Sequence, residues 1–289
     1  MRVHHLNCAT FCPLGGHFFD GRTPGLRRAR LVCHCLLIET ADRLVLVDTG
    51  LGLNDVSHPH PRLSRGLTAL LHPRYALAET AHAQIAALGY STADVRDIVL
   101  THLDFDHAGG IQDFPRARVH VYAQELQAAL HASERLARRR YRRSQWGHNV
   151  RWIQYRTQGE TWFGFDCVHQ LAQLPPEILM LPLPGHTAGH CGIAVDDGQR
   201  WQLLAGDAYF HHDELHAAEP SCPAGLSLYQ GLMEIDRGAR LDNRRRLREL
   251  ARNEPSVRIF CSHDAAEFDR LHMSVPAYVK PVRRRSRAA

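Results

Sequence analysis

Lysine is almost absent from this chain of 289 residues. Lys280 is the single one, and arginine carries nearly all the basic charge. The formal net charge is only +5, so the arginine bias reads as composition and not as a nucleic-acid footprint. No apolar run is long enough to span a bilayer. The N-terminal stretch MRVHHLNCATF lacks the apolar segment of a signal peptide. These absences predict a soluble cytoplasmic protein whose eight cysteines stay mostly reduced. There is no Gly-rich phosphate loop, no Ser-His-Asp arrangement, no internal repeat and no convincing linker. A hydrophobic share of 44% and a charged share of 22% are globular values. The expectation is one domain over residues 1–289.

Apolar, β-branched runs and turn residues give a coarse α/β outline. LVCHCLLIETADRLVLVDTG, residues 31–50, reads as a hairpin about Ala41-Asp42-Arg43. Residues 53–75 read as a surface loop, and 77–89 as an amphipathic helix stopped by Gly89. Strands follow at Asp97–Thr101 and Val119–Tyr122, then a helix over 124–143 ending in an arginine run. Residues 144–176 lack periodicity and read as an insertion or lid. Further strands are expected at Ile178–Leu183, Gly192–Val195, Trp201–Ala205 and Val257–Cys261, with helix over 225–252. Residues 279–289, ending KPVRRRSRAA, read as a disordered basic tail.

What the sequence has in excess is histidine, 21 residues, so an isolated one carries little weight. THLDFDHAGG, residues 101–110, is different: it packs His102, Asp104, Asp106 and His107 directly after a strand. Three more apolar strands run into His186, Asp207 and His263. Strand ends are rigid supports, and imidazole with carboxylate suits zinc, iron, manganese or cobalt. Residues two apart in extended backbone point the same way, so His102 and Asp104 can converge. Seven candidate ligands are too many for one tetrahedral zinc and suit two metals sharing a carboxylate.

THLDFDHAGG, PGHTAGH, AGD and CSHD, in this order and with LVLVDTG before them, resemble the metallo-β-lactamase superfamily from about residue 31 to 268. The resemblance implies a four-layer αββα sandwich of two mixed β-sheets flanked by helices, with metals at one edge. It implies two divalent ions, zinc first. His102, Asp104 and His186 would hold the first; Asp106, His107 and His263 the second; Asp207 would bridge them. Asp48 would orient a ligand from behind, or is simply a turn residue. Most hydrolases of the superfamily carry His where Asp104 stands. Asp is shorter, so the first position is either shifted, weakened or tuned toward iron or manganese, or restored by a small backbone movement.

A metal-bound water becomes a hydroxide near neutral pH. It would attack a small-molecule ester or lactone carbonyl, with Asp106 able to relay a proton. The nearest branch resembles acyl-homoserine-lactone lactonases. Those often place a carbonyl-holding Tyr three residues after the bridging Asp; here Phe210 stands there and Tyr209 precedes it. Tyr209 is the candidate for that role, or packs in the core. The alternatives are a phosphodiesterase or nuclease of the same fold, using Arg138–Arg140, Arg142 and Arg143, and a non-hydrolytic metal-binding or redox protein. The arginine run otherwise reads as a solvated helix face. The expected partner is a small-molecule substrate, with no membrane or nucleic acid; a homodimer stays open. Cys8, Cys12, Cys33 and Cys35 read as free cysteines before a structural zinc site. His190 reads as a histidine that supports a ligand from behind or packs in the core, and His211-His212 as exposed.

Overall fold

The computed structural model describes residues 1–133, 135–147, 149–156 and 158–274. The predicted basic tail lies outside the described residues. The first sheet contains β1 (Arg2–Phe11), β2 (Leu31–Glu39), β3 (Leu44–Val47), β4 (Pro73–Arg74), β5 (Val95–Val99), β6 (Arg118–Tyr122) and β7 (Arg151–Tyr155), in the order β4-β1-β2-β3-β5-β6-β7. The second contains β8 (Glu160–Trp162), β9 (Phe165–Gln170), β10 (Ile178–Pro182), β11 (Cys191–Asp196), β12 (Trp201–Leu204) and β13 (Val257–Phe260), in the order β13-β12-β11-β10-β9-β8. Both sheets are mixed. β1, β2 and β3 pair antiparallel, and β3, β5, β6 and β7 parallel. β9 to β12 pair antiparallel, and β12 with β13 parallel.

The uninterrupted apolar strands have a physical cause: both faces of each sheet are covered. Leu36, Ile38, Val45, Val47 and Val99 face Ile178, Met180, Ile193, Val195, Leu204 and Phe260 across the inter-sheet core. The alternate residues Leu37, Leu46, Ile98 and Val119 pack outward against Ile85, Leu126 and Ala129 of the helices Ala81–Ala87 and Ala123–Leu130. Leu203 and Ile259 meet Leu247 and Leu250 of the helix Arg237–Asn253. Each such fully buried aliphatic side chain contributes about 1.5–3 kcal/mol relative to exposure. The result is the αββα sandwich of two mixed sheets that the motifs implied. Among the described residues no helix is long and apolar enough to cross a membrane.

Several local expectations need correction. Residues 53–75 are not a bare loop: they form the short helices Leu53–Ser57, Pro59–Arg62 and Arg65–Leu71, and bury Val56, Leu63, Leu67 and Leu71. Residues 144–176 are not a lid. They supply β7, which edges the first sheet, and β9 and β8, which complete one side of the second. β7 exposes most of its length, so it carries no apolar run to read. The helix expected over 124–143 is three pieces, Ala123–Leu130, Arg135–Arg140 and Arg143–Trp146. The helix over 225–252 breaks at Glu234–Asp236, where Asp236 caps the next helix through Ala239 N–H at 3.0 Å. β1 and the closing helix Ala265–Ser274 had no counterpart in the sequence outline.

Candidate metal centre

β3 and β5 run parallel in the first sheet, β10, β12 and β13 in the second, and the residues past their C-terminal ends meet at one edge of the sandwich. The residues just beyond them are Asp48, His102, His186, Asp207 and His263. This is where open α/β sheets gather ligands. The loop after β5 adds Asp104, Asp106 and His107, and folds back tightly: a Cβ on Gly109 would stand 2.5 Å from Asp55 Oδ2 and 2.6 Å from Gly50 O.

All seven candidate ligands come together, and all are buried. Two neighbouring positions are formed. At the first, His186 Nε2 lies 3.1 Å from Asp104 Oδ2, and His102 Nε2 lies 3.5 Å from the same oxygen. At the second, His263 Nε2 lies 3.7 Å from Asp106 Oδ2. Asp207 stands between them. Its Oδ2 is 3.3 Å from His186 Nε2, and its Oδ1 is 3.1 Å from His263 Nε2 and 3.4 Å from His107 Nε2.

The histidine tautomers follow from their other nitrogens. His263 Nδ1 donates to Val32 O at 2.7 Å. His107 Nδ1 donates to Asp48 Oδ2 at 2.8 Å. Thr101 Oγ1 gives its one proton to Asp48 Oδ2 at 2.7 Å, so it accepts from His102 Nδ1 at 2.9 Å. In the neutral rings each Nε2 therefore presents a lone pair. His102 Nε2, His107 Nε2 and Asp207 Oδ1 are buried without a hydrogen-bond partner. Lone pairs aimed at a carboxylate oxygen repel unless a cation lies among them, so this donor set fits a divalent ion. The field has the right sign too. The carboxylates of Asp207, Asp48 and Asp106 surround His107 with negative charge, which favours a cation at this centre.

The supporting groups are equally specific. Asp48 sits at φ +54°, a conformation rare for a residue other than glycine. It accepts from Thr101 N at 2.8 Å as well as from Thr101 Oγ1 and His107. Its carboxylate therefore fixes the tautomers of two histidines, directly and through Thr101. Glu125 takes Leu103 N at 2.9 Å and Gly189 N at 3.1 Å, tying two ligand loops together. His190 bridges Leu183 O and Asp207 N, each at 2.8 Å, and so spends both nitrogens on backbone.

Other expectations fail. Tyr209 is fully buried and donates its hydroxyl to Glu267 at 3.0 Å, away from the cluster. His211 is buried, not exposed, and His212 pairs with Asp264 at 2.6 Å. The cysteines are free; Cys33 alone reaches the centre, with Sγ 4.0 Å from Asp106 Oδ2. Three neighbours of the centre carry no role there on sequence grounds. Arg140, from the supposedly solvated arginine run, is buried against Asp104. Tyr229 sits 6.0 Å from Phe210, which stacks on His263 at 5.1 Å. Glu125 is the third. Only Tyr229 left a trace in the sequence, as a polar aromatic on an amphipathic helix; the others meet the centre through the tertiary fold alone.

A family model described as the metallo-beta-lactamase superfamily matches residues 28–263. The chain is 42% identical over 266 residues to a probable metallo-hydrolase of Mycobacterium tuberculosis, covering 91% of this chain and 80% of that one. It is 25% identical over 243 residues to an N-acyl homoserine lactonase of Bacillus thuringiensis, covering 84% of each. A solved N-acyl homoserine lactone hydrolase, with the product N-hexanoyl-L-homoserine at its catalytic metal centre, superposes with a TM-score of 0.69 at 22% identity, over 93% of this chain and 95% of that one. With its sandwich, its ligand cluster and this match over most of its length, the chain belongs to the metallo-β-lactamase superfamily, as one of its metallo-hydrolases.

Proposed function

We propose that this chain hydrolyses an ester or lactone carbonyl in a small molecule, using divalent metal, zinc by the nitrogen and oxygen donor set, held by the strand-end cluster. The observation that carries the reading is the convergence of three Nε2 lone pairs on Asp207. Hydrolases of this superfamily bind divalent metals. Bound there, a cation supplies an acidified water and an electrophile for the carbonyl oxygen. His102, His107, His186, His263, Asp104, Asp106 and Asp207 are the residues able to hold it.

The chain's own groups do the rest. Asp106 is buried, which raises its carboxyl, and it stands where it can pass a proton to a leaving alkoxide. Phe210 covers the face of His263 and keeps bulk water from it. A cavity of about 190 Å³ adjoins His263, Phe210 and Leu226, with Arg22 and Arg30 at its rim, and suits a small polar head with an apolar extension. Tyr229, not Tyr209, takes the carbonyl-holding role. Burial and then the carboxylates of Asp106, Asp104 and Asp207 keep its phenol protonated, hence a donor. The homology to lactonases supports the carbonyl class, and the inward turn of Arg140 removes one residue from the array a nuclease would use.

Initial rates on nitrophenyl esters and acyl lactones, set against bis-nitrophenyl phosphate and single-stranded RNA, test the reading. Faster turnover of the phosphodiesters would overturn it. Tyr229→Phe is expected to lower kcat about 10- to 100-fold with a smaller change in KM, since a donor to a developing oxyanion acts mainly in the transition state. An unchanged kcat would remove Tyr229 from the chemistry.

A further inference from the structure

Arg140 raises a question that the hydrolase reading leaves open. It ends the helix Arg135–Arg140 and is 2% exposed. A guanidinium has five N–H donors and no acceptor. Nε reaches Asp104 Oδ1 at 2.7 Å. Nη2 reaches Asp104 Oδ2 at 2.7 Å and His186 Nε2 at 2.8 Å. Nη1 reaches Met233 O at 2.6 Å and His186 O at 3.3 Å. The five donors thus meet five acceptors, all from the protein. No N–H is left for a substrate, so this arginine is not a binding residue.

Its position explains it better. Nη2 lies on Asp104 Oδ2 and His186 Nε2, two of the three groups that form the first position. Because arginine only donates, the His186 lone pair is the one it engages. A divalent ion at that position would have to take the same lone pair and sit against a like charge that no pH removes. Asp104 fits the same picture. A carboxylate receives the planar fork at both oxygens, which an imidazole cannot do.

We propose that Arg140 stands in for the first cation. The chain then takes one divalent ion, on Asp106, His107, His263 and Asp207, while the guanidinium is a fixed positive charge across Asp207 from it. Arg140 is in this sense a positioning residue: it orients Asp104 and His186 and neutralises the carboxylate beside them. The inference rests on the metallo-hydrolase reading and narrows it to a mononuclear centre.

The test is to titrate metal-free full-length protein with Co(II), counting equivalents by d–d absorption and equilibrium dialysis. One equivalent per chain is expected in the wild type. Asp104→His combined with Arg140→Leu, which rebuilds an all-nitrogen first position without an unpaired buried charge, should raise the count to two. Two tight equivalents in the wild type would overturn the stand-in role and leave the hydrolase reading intact. No tight equivalent in either protein would overturn both. A folded double variant that stays at one, by circular dichroism and dialysis together, would also overturn it. If the double variant does not fold, the wild-type count decides alone.

Discussion

At the residue scale, Asp48 shows how a single side chain carries more than its position in a motif implies. It holds φ +54° and still receives three hydrogen bonds, from Thr101 N, Thr101 Oγ1 and His107 Nδ1. A strained conformation of this kind costs about 1–3 kcal/mol and persists only where the surroundings fix it. Asp48→Asn cannot accept all three bonds and leaves His107 free to change tautomer. Divalent-ion affinity should fall by about 10- to 100-fold, as for other groups that orient a ligand. Competition with a calibrated chelator reads this directly, and unchanged affinity would return Asp48 to the status of a turn residue. THLDFDHAGG announced this centre because its four ligands fall within six residues. Arg140 gave no such signal, since it is one of many arginines and only its burial distinguishes it.

At the element scale, β1 is the strand that the sequence hid, because His4, His5 and Asn7 interrupt its apolar pattern. His5 Nδ1 meets His34 Nε2 of β2 at 2.8 Å, and His34 stacks on Phe260 at 4.8 Å. Burial first, then Arg258 and His272, lower His5 to about 4. The unfolded chain, with a histidine near its ordinary value, binds this proton more readily. Stability from His5 is therefore complete above about pH 6.5, declines as the pH falls, and is lost by about pH 4. The gap corresponds to about 3 kcal/mol. His5→Gln can keep a hydrogen bond to His34 without a titrating group. Urea unfolding of metal-free protein should show the wild type losing about that much more stability than the variant between pH 7 and pH 4. Parallel losses would show that His5 is protonated in the folded state.

At the scale of the whole molecule, residues 144–176 tie the two sheets together. β7 extends the first sheet beside β6, and β9 extends the second beside β10. Phe165 is fully buried among Leu179, Leu181 and Val168, and Arg246 of the long helix lies 4.2 Å from its ring centre. Phe165→Ala should cost about 3–5 kcal/mol, the usual range for an aromatic truncated in a core. Thermal unfolding with KM measured in parallel distinguishes the two views of the segment. A lid residue would move KM and spare the melting temperature; a residue of a sheet strand does the reverse.

The sequence by itself determined the family, the strand-then-ligand order and the seven side chains that meet. Each of these rests on local facts: apolar runs buried on both faces, and ligands placed just past strand ends. Tertiary structure decided what faces those ligands. Arg140 engages Asp104 across 36 residues of chain and Met233 across 93, and Cys33 approaches Asp106 across 73. It also showed Tyr209 to be core and residues 144–176 to supply strands of both sheets. Such contacts have no sequence period, because they are set by how two sheets stack and where helix ends fall against them. The charge beside a ligand is a property of that packing, and only the folded chain contains it.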